Sequence, residues 1–176
     1  MTIIGLDLSL TATGYINLCN GKILEQKLIK SKPVGDKPTD ELKRILGIVK
    51  EISVKGSDLV VVEGIAFGIR KTTSLAQLSA LNYFVRNKCY ENKIPFVIVA
   101  PTTLKRFCTG KGNCPKDLIM LEVYKRWEES FSDNNLADSY VLVKIGELFL
   151  KENIDNDSKI PKFQKETINL LKKQLI

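Results

Sequence analysis

The chain of 176 residues has no histidine, four cysteines without a C-x-x-C pair, and no apolar run of membrane-spanning length. Each absence excludes a class of chemistry. Without histidine there is no Ser-His or Cys-His nucleophile pair and no imidazole metal ligand. Acid–base or metal chemistry must fall to carboxylates, Lys, Tyr or water. Cys19, Cys89, Cys108 and Cys114 are scattered, which argues against a zinc site and for free, mostly buried thiols in a reducing compartment. The N-terminus has no basic n-region followed by an apolar h-region, so an intracellular, cytoplasmic protein without a membrane partner is expected.

What is present is a 44% apolar composition, enough for one sizeable core, and a formal charge of +7 with a pI near 9.2. Lysine dominates the basic residues, and such an excess favours a polyanionic partner, nucleic acid above membrane. No internal repeat or low-complexity tract is visible. The expected organisation is one domain over 1–152 and a basic C-terminal tail over 153–176, expected to be helical by its pattern of Phe163, Ile168 and Leu171 among lysines.

Taken in order, Thr2 to Leu8 and Gly14 to Leu18 read as strands. Asn20-Gly21 reads as a hairpin turn and Lys22 to Ile29 as a third strand. A loop with Pro33, Gly35 and Pro38 leads to a helix capped by Thr39, with Leu42, Ile45, Leu46, Val49 and Ile52 along one face. Asp58 to Val62 is a continuous apolar run of the buried parallel type. A helix from about Thr73 to Asn92 follows, with Leu75, Leu78, Leu81, Tyr83 and Val85 as its apolar positions. The strand Phe96 to Val99, closed by Pro101, comes next. Leu104 to Pro115 reads as a basic, glycine-containing loop, Pro115 as the first position of the next helix, and Ala137 to Leu148 as the apolar stripe of the last. Three antiparallel strands followed by two βα units give an α/β fold. It is a mixed five-stranded sheet, three strands antiparallel and two parallel, with helices on both faces.

This topology brings the ends of the first and fourth strands together, and each ends on an acid, Asp7 and Glu63. Two adjacent carboxylates repel unless a cation joins them. A third, Asp138, stands three residues after Asn135 in D133-N-N-L-A-D138, so both share a helical face. Oxygen donors alone select a hard ion, Mg²⁺ with Mn²⁺ as the alternative. Two such ions roughly 3.5–4 Å apart activate water and stabilise the leaving oxygen in phosphodiester cleavage.

The segments I-I-G-L-D-L-S-L-T-A-T-G-Y, V-V-V-E-G and A-D-S-Y resemble the RuvC family of Holliday-junction resolvases, of the RNase H-like superfamily, over about residues 1–150. The lysine-rich sequence is more similar to the family's phage-borne branch, for which the location would be the host cytoplasm. The resemblance implies an RNase H-like fold and a homodimeric nuclease that resolves four-way junctions and other branched DNA; whether forks and flaps are among its substrates is left open by the sequence. It further implies Asp7, Glu63 and Asp138 as metal-binding acids and Lys105 and Lys116 as basic catalytic positions either side of Gly110-Lys111-Gly112. By the same resemblance Phe67 stacks on an unpaired base.

One departure stands out: the family pattern D-x-x-A-D begins here with Asn135. Three explanations are open. Asp133 substitutes from the loop as a metal ligand, Asn135 ligates through its amide oxygen, or the position carries an inactivating substitution. Around the site, Phe67 with Arg70 and Lys71, and the cations Lys105, Arg106, Lys111 and Lys116, form the candidate DNA-binding set. Asn135 also motivates an alternative function, a junction-binding protein with weak or no cleavage. The D-x-S-x-T-x-T-G turn resembles the first phosphate loop of actin-like sugar kinases, but their second Asp-Gly and Gly-Gly motifs are missing.

Overall fold

The computed structural model describes residues 1–65, 72–151 and 154–173. Five strands form one sheet in the order β3-β2-β1-β4-β5. They are β1 (Thr2–Asp7), β2 (Ala12–Cys19), β3 (Lys22–Lys30), β4 (Leu59–Glu63) and β5 (Phe96–Val99). β1, β2 and β3 pair antiparallel, whereas β1–β4 and β4–β5 are parallel, as the strand patterns predict. The helices are α1 (Pro38–Glu51), α2 (Thr72–Glu91), α3 (Pro101–Thr109), α4 (Lys116–Trp127), α5 (Asn134–Leu150) and α6 (Lys162–Lys172), with a 3₁₀ turn at Ile154–Asn156.

The period-2 alternation of the strands divides the interior into two cores. Ile3, Ile16, Leu59 and Val61 face one side, where α3, α4, α5 and α6 pack with Phe107, Val123, Val141, Ile145 and Ile168. Ile4, Leu6, Tyr15, Val60 and Val62 face the other, under α1 and α2. β4 is buried on both faces, which is why L-V-V-V shows no alternation in sequence.

The helices hold several corrections. Thr39 does not cap α1: Lys37 is the cap residue and Pro38 takes the first position, where its missing N–H costs nothing. The buried stripe of α1 is Ile45, Ile48 and Ile52, while Leu42 and Leu46 stay exposed. Two overlapping apolar stripes were available at helical spacing, and only one meets the sheet. On α2 the inward positions are Leu81, Val85 and Cys89, four residues apart, and Tyr83 points outward. The segment expected as a basic loop from Leu104 is mostly α3. Pro101 starts this helix rather than merely closing a strand, and Gly110, at φ +81°, ends it as a left-handed cap. The loop shrinks to the residues between Gly110 and Pro115, and Pro115 is the cap of α4, not its first helical residue.

Two long-range contacts tie the layers. The Lys88 ammonium on α2 donates to the carbonyls of Val49 (2.8 Å) and Ile52 (2.5 Å), the C-terminal end of α1, where cationic charge suits the dipole. Burial lowers the pKa of that amine. On the opposite face α6 buries Ile168 and Leu171, and its Gln164 amide donates to Phe107 O of α3 at 3.1 Å. Among the described residues, no helix is long and apolar enough to cross a membrane.

α5 lies directly on the sheet because glycines leave room for it. A Cβ on Gly5 would run into Ser139 O, and one on Gly14 into Asn135 O and Ser139 Oγ. Gly146 offers the same clearance from the helix side, where a Cβ would come within 2.6 Å of Ile3 Cγ2. Gly14→Ala should therefore cost about 3 kcal/mol, as overpacking against backbone does. That is a fall in Tm of roughly 6–12 °C by thermal denaturation. An unchanged Tm would mean that α5 can move away freely.

Alkaline stability follows from four buried acids of high pKa. Burial pushes Cys89 from 9.0 up to about 11 and Cys108 to about 12. It pushes Tyr15 from 10.0 up to about 12, and raises Tyr140 as well. The folded state holds these protons after the unfolded chain has released them. The stability is thus complete below about pH 9 and declines above it, by roughly 1.4 kcal/mol per pH unit for each group titrating only in the unfolded state. Melting curves between pH 8 and 11 should show Tm dropping steadily from about pH 9.

Candidate active site

β1 and β4 run side by side with Leu6 opposite Val62, so the next residues, Asp7 and Glu63, emerge at neighbouring strand ends. α5 crosses these ends and turns Asn135 and Asp138 towards them. Asp7, Glu63, Asn135 and Asp138 line one cavity of about 320 Å³, with Lys105 of α3 and Asn82 of α2 also on its wall. Asp7 and Asp138 are buried, at 8% and 9% exposure, and Glu63 is half-buried. The topology thus brings together the three acids and the asparagine that the sequence singles out.

The junction between β1 and α5 is made by Ser139. Its hydroxyl donates to Asn135 O (2.7 Å) and accepts from Asp7 N–H (3.2 Å), and the side chain is fully buried. One hydroxyl therefore links the strand that carries Asp7 to the first turn of the helix that carries Asp138. The hydroxyls between Asp7 and Gly14 serve the backbone. Buried Thr13 donates to Ser9 O (2.7 Å) and accepts from Ser9 N–H (3.0 Å). Leu10 O accepts from Ser31 Oγ (2.5 Å) and Arg44 (2.6 Å). This turn is closed by its own hydroxyls together with Ser31 and Arg44.

Asp133 has a different job from the one considered for it. It is the N-cap of α5, its carboxylate accepting from Asn135 N–H at 2.8 Å, and it does not line the cavity. A carboxylate at a helix N-terminus satisfies an orphan donor and complements the dipole. Of the cations, Lys105 lines the cavity but sits on a helix, not a loop. Arg106 faces away from that cavity and pairs with Glu166 of α6. Lys111 is exposed in the glycine loop, where its backbone N–H donates to Thr109 Oγ1 (3.1 Å). The side chain of Lys116, at the start of α4, lies outside the described residues, as do Phe67, Arg70 and Lys71.

The donor set is all oxygen: three carboxylates and an amide. In kind it fits a hard divalent cation such as Mg²⁺. Among the described residues no three His, Cys, Asp or Glu side chains close around a single point, so the acids share a cavity without forming a finished cage. Two further residues escaped the sequence reading. Ser139 stands within A-D-S-Y, but nothing in the sequence marks its hydroxyl as the link between β1 and α5. For Asn82 the available signal is its position: an amide one residue after Leu81 and three before Val85 sits on a face that has to be buried.

No protein-family model matches the chain, nor does its sequence match any curated protein. Solved structures do. Thermus thermophilus RuvC superposes with a TM-score of 0.63 at 19% identity, over 81% of this chain and 90% of that one. Fowlpox virus resolvase in complex with substrate Holliday junction DNA gives 0.54 at 17% identity, over 86% and 100%. The yeast mitochondrial Holliday junction resolvase Ydc2 gives 0.56 at 13%, over 99% and 84%. The chain therefore has the RNase H-like fold found in these resolvases, as its motifs predict.

The capping role of Asp133 can be measured apart from any activity. Asp133→Ala should lower stability by about 1 kcal/mol, whereas Asp133→Asn, which retains an accepting oxygen, should cost a few tenths at most. Chemical denaturation of the two variants reads this difference. Equal losses would remove the cap.

Proposed function

We propose that this protein is a metal-dependent, structure-selective endodeoxyribonuclease that resolves four-way junctions and cuts other branched DNA by phosphodiester hydrolysis. The observation that carries the proposal is the convergence of Asp7, Glu63 and Asp138 with Lys105 on one cavity. It occurs at the strand ends of a fold shared with solved Holliday-junction resolvases. Asp7, Glu63 and Asp138, with the Asn135 amide oxygen, would hold Mg²⁺ or Mn²⁺, which when bound activates water and offsets charge on the phosphate.

The chain's own residues supply the rest. A cation among these carboxylates offsets their mutual repulsion, which gives the cavity its demand for positive charge. Lys105, on the cavity wall, stabilises the negative charge that grows on the phosphate oxygens during attack, and Lys116 is proposed for the same role. Cleavage leaves a 3′-hydroxyl. Lys111, exposed on the loop, is free to reach a flanking phosphate, a contact that orients DNA without reading sequence. Phe67, with Arg70 and Lys71, is proposed to stack on an unpaired base at the branch point. Two symmetric cuts call for two sites and hence a two-fold homodimer.

A second reading rests on Asn135. A neutral amide stands where a fourth anionic ligand would complete a two-metal site, and Asp133 caps α5 outside the cavity lining. In that reading the protein binds junctions and cuts them slowly or not at all. Nicking of a synthetic four-way junction and of linear duplex, with and without Mg²⁺, separates the two readings.

Asp7→Asn should abolish nicking and leave junction binding unchanged or tighter, because it removes negative charge next to a phosphate. Undiminished nicking by that variant would falsify the nuclease assignment. Asn135→Asp should raise the cleavage rate and lower the Mg²⁺ concentration needed for half-maximal rate, while Asp133→Asn changes neither. A dead Asp133→Asn variant with a neutral Asn135→Asp would reverse these two assignments.

A further inference from the structure

Asn82 is 1% exposed and yet lines the acid cavity, where it is the polar side chain contributed by α2. A buried amide has two N–H donors and two acceptor lone pairs to satisfy, and each left unmet costs free energy. Asn82 meets few of them, and poorly. Its Nδ2 donates back to Leu78 O within the helix at 3.3 Å, and its Oδ1 accepts from the Arg86 guanidinium at 3.5 Å, both at the long limit for a hydrogen bond.

The geometry also says which end of the amide is available. Arg86 stacks over the Tyr83 ring, its guanidinium carbon 4.9 Å from the ring centroid, and reaches the amide from one turn further along α2. That cation engages the amide oxygen, one N–H is directed to Leu78 O, and the second N–H of the NH₂ group is the donor left for the cavity. A donor there is poorly suited to bind a metal ion and well suited to meet an anion. A neutral donor also adds no positive charge to compete with the ion for the carboxylates.

On this basis, and resting on the nuclease reading above, we infer that Asn82 is a substrate-contacting residue. Its Nδ2–H donates to one non-bridging oxygen of the phosphodiester that enters the cavity, and Arg86 is the positioning residue that orients the amide. A donor aimed at an oxygen on which charge develops is worth about 10²–10³ in rate when it is preorganised in a site closed to water. Here the cavity is open to solvent, so a smaller effect is expected.

The test is single-turnover cleavage of a four-way junction carrying a phosphorothioate at the scissile position, each diastereomer separately. Mn²⁺ is used so that the ion tolerates sulfur. Asn82→Ala should slow cleavage of the all-oxygen junction by about 10- to 100-fold, with unaltered Mn²⁺ affinity by electron paramagnetic resonance. Wild-type protein should cut one diastereomer more slowly than the oxygen substrate, and that penalty should vanish in Asn82→Ala. Asn82→Gln, which keeps a donor, should recover part of the rate, and Arg86→Ala should lose part of it. A wild-type rate in Asn82→Ala overturns the inference. So does a slow variant that keeps the full sulfur penalty, or one rescued by more Mn²⁺, which would put the amide oxygen on the ion. If the wild-type protein itself cuts no junction, the nuclease reading falls and takes this inference with it.

Discussion

The close seating of α5 on β1 and β2 is the constraint on which the site depends. Backbone of the helix rests where side chains of the strands would otherwise be, over Gly5 and Gly14, and Gly146 lets the middle of the helix down onto Ile3. Helix and sheet are then joined by a hydroxyl, Ser139, instead of by apolar contact alone. The consequence is metric. Asp138 comes near Asp7 because nothing larger than hydrogen separates the elements that carry them. A single methyl group at Gly14 acts on the site as well as on stability.

The charge distribution follows a similar division of labour. The chain carries 27 Lys and Arg against 20 Asp and Glu, so three acids gathered on one cavity run against the overall field. A net charge of this sign attracts polyanions in general, and the cavity is where acids gather against it. Individual cations are less interchangeable than their number suggests. Arg106 is engaged with Glu166, and Lys88 with the end of α1, and both serve the fold. Lys105 alone of the cations expected near the site lines the cavity among the described residues.

Strand order, pairing and the meeting of Asp7 with Glu63 were legible in the sequence. They depend on period-2 patterns and on which strand ends are acidic, and both are local signals. α3 was not, because a short helix that begins at a proline just after a strand looks like the end of that strand followed by loop. Its apolar face, Leu104, Phe107 and Cys108, is hidden among Lys105, Arg106 and the glycines. The α1 stripe was ambiguous for a different reason: sequence shows which faces are apolar, while only the packed structure shows which one meets the sheet. Asp133 was legible as a carboxylate but not as a cap, since that depends on where the helix begins. Ser139 and Asn82 matter through burial and orientation, which a single polar letter in an apolar stretch does not reveal.

The sheet has two unpaired edges, and they are treated differently. β5 is four residues long, whereas β3 runs for nine residues and pairs, among the described residues, with β2 on one side. An open strand of that length is a template for another strand, and hence for fibrous self-association. β3 carries Lys22, Lys27 and Lys30, and its pairing with β2 is broken by an irregularity at Asn17 and Leu18. Two copies brought edge to edge would oppose lysine to lysine on a distorted rim. The fold therefore discourages continuous-sheet association through this edge.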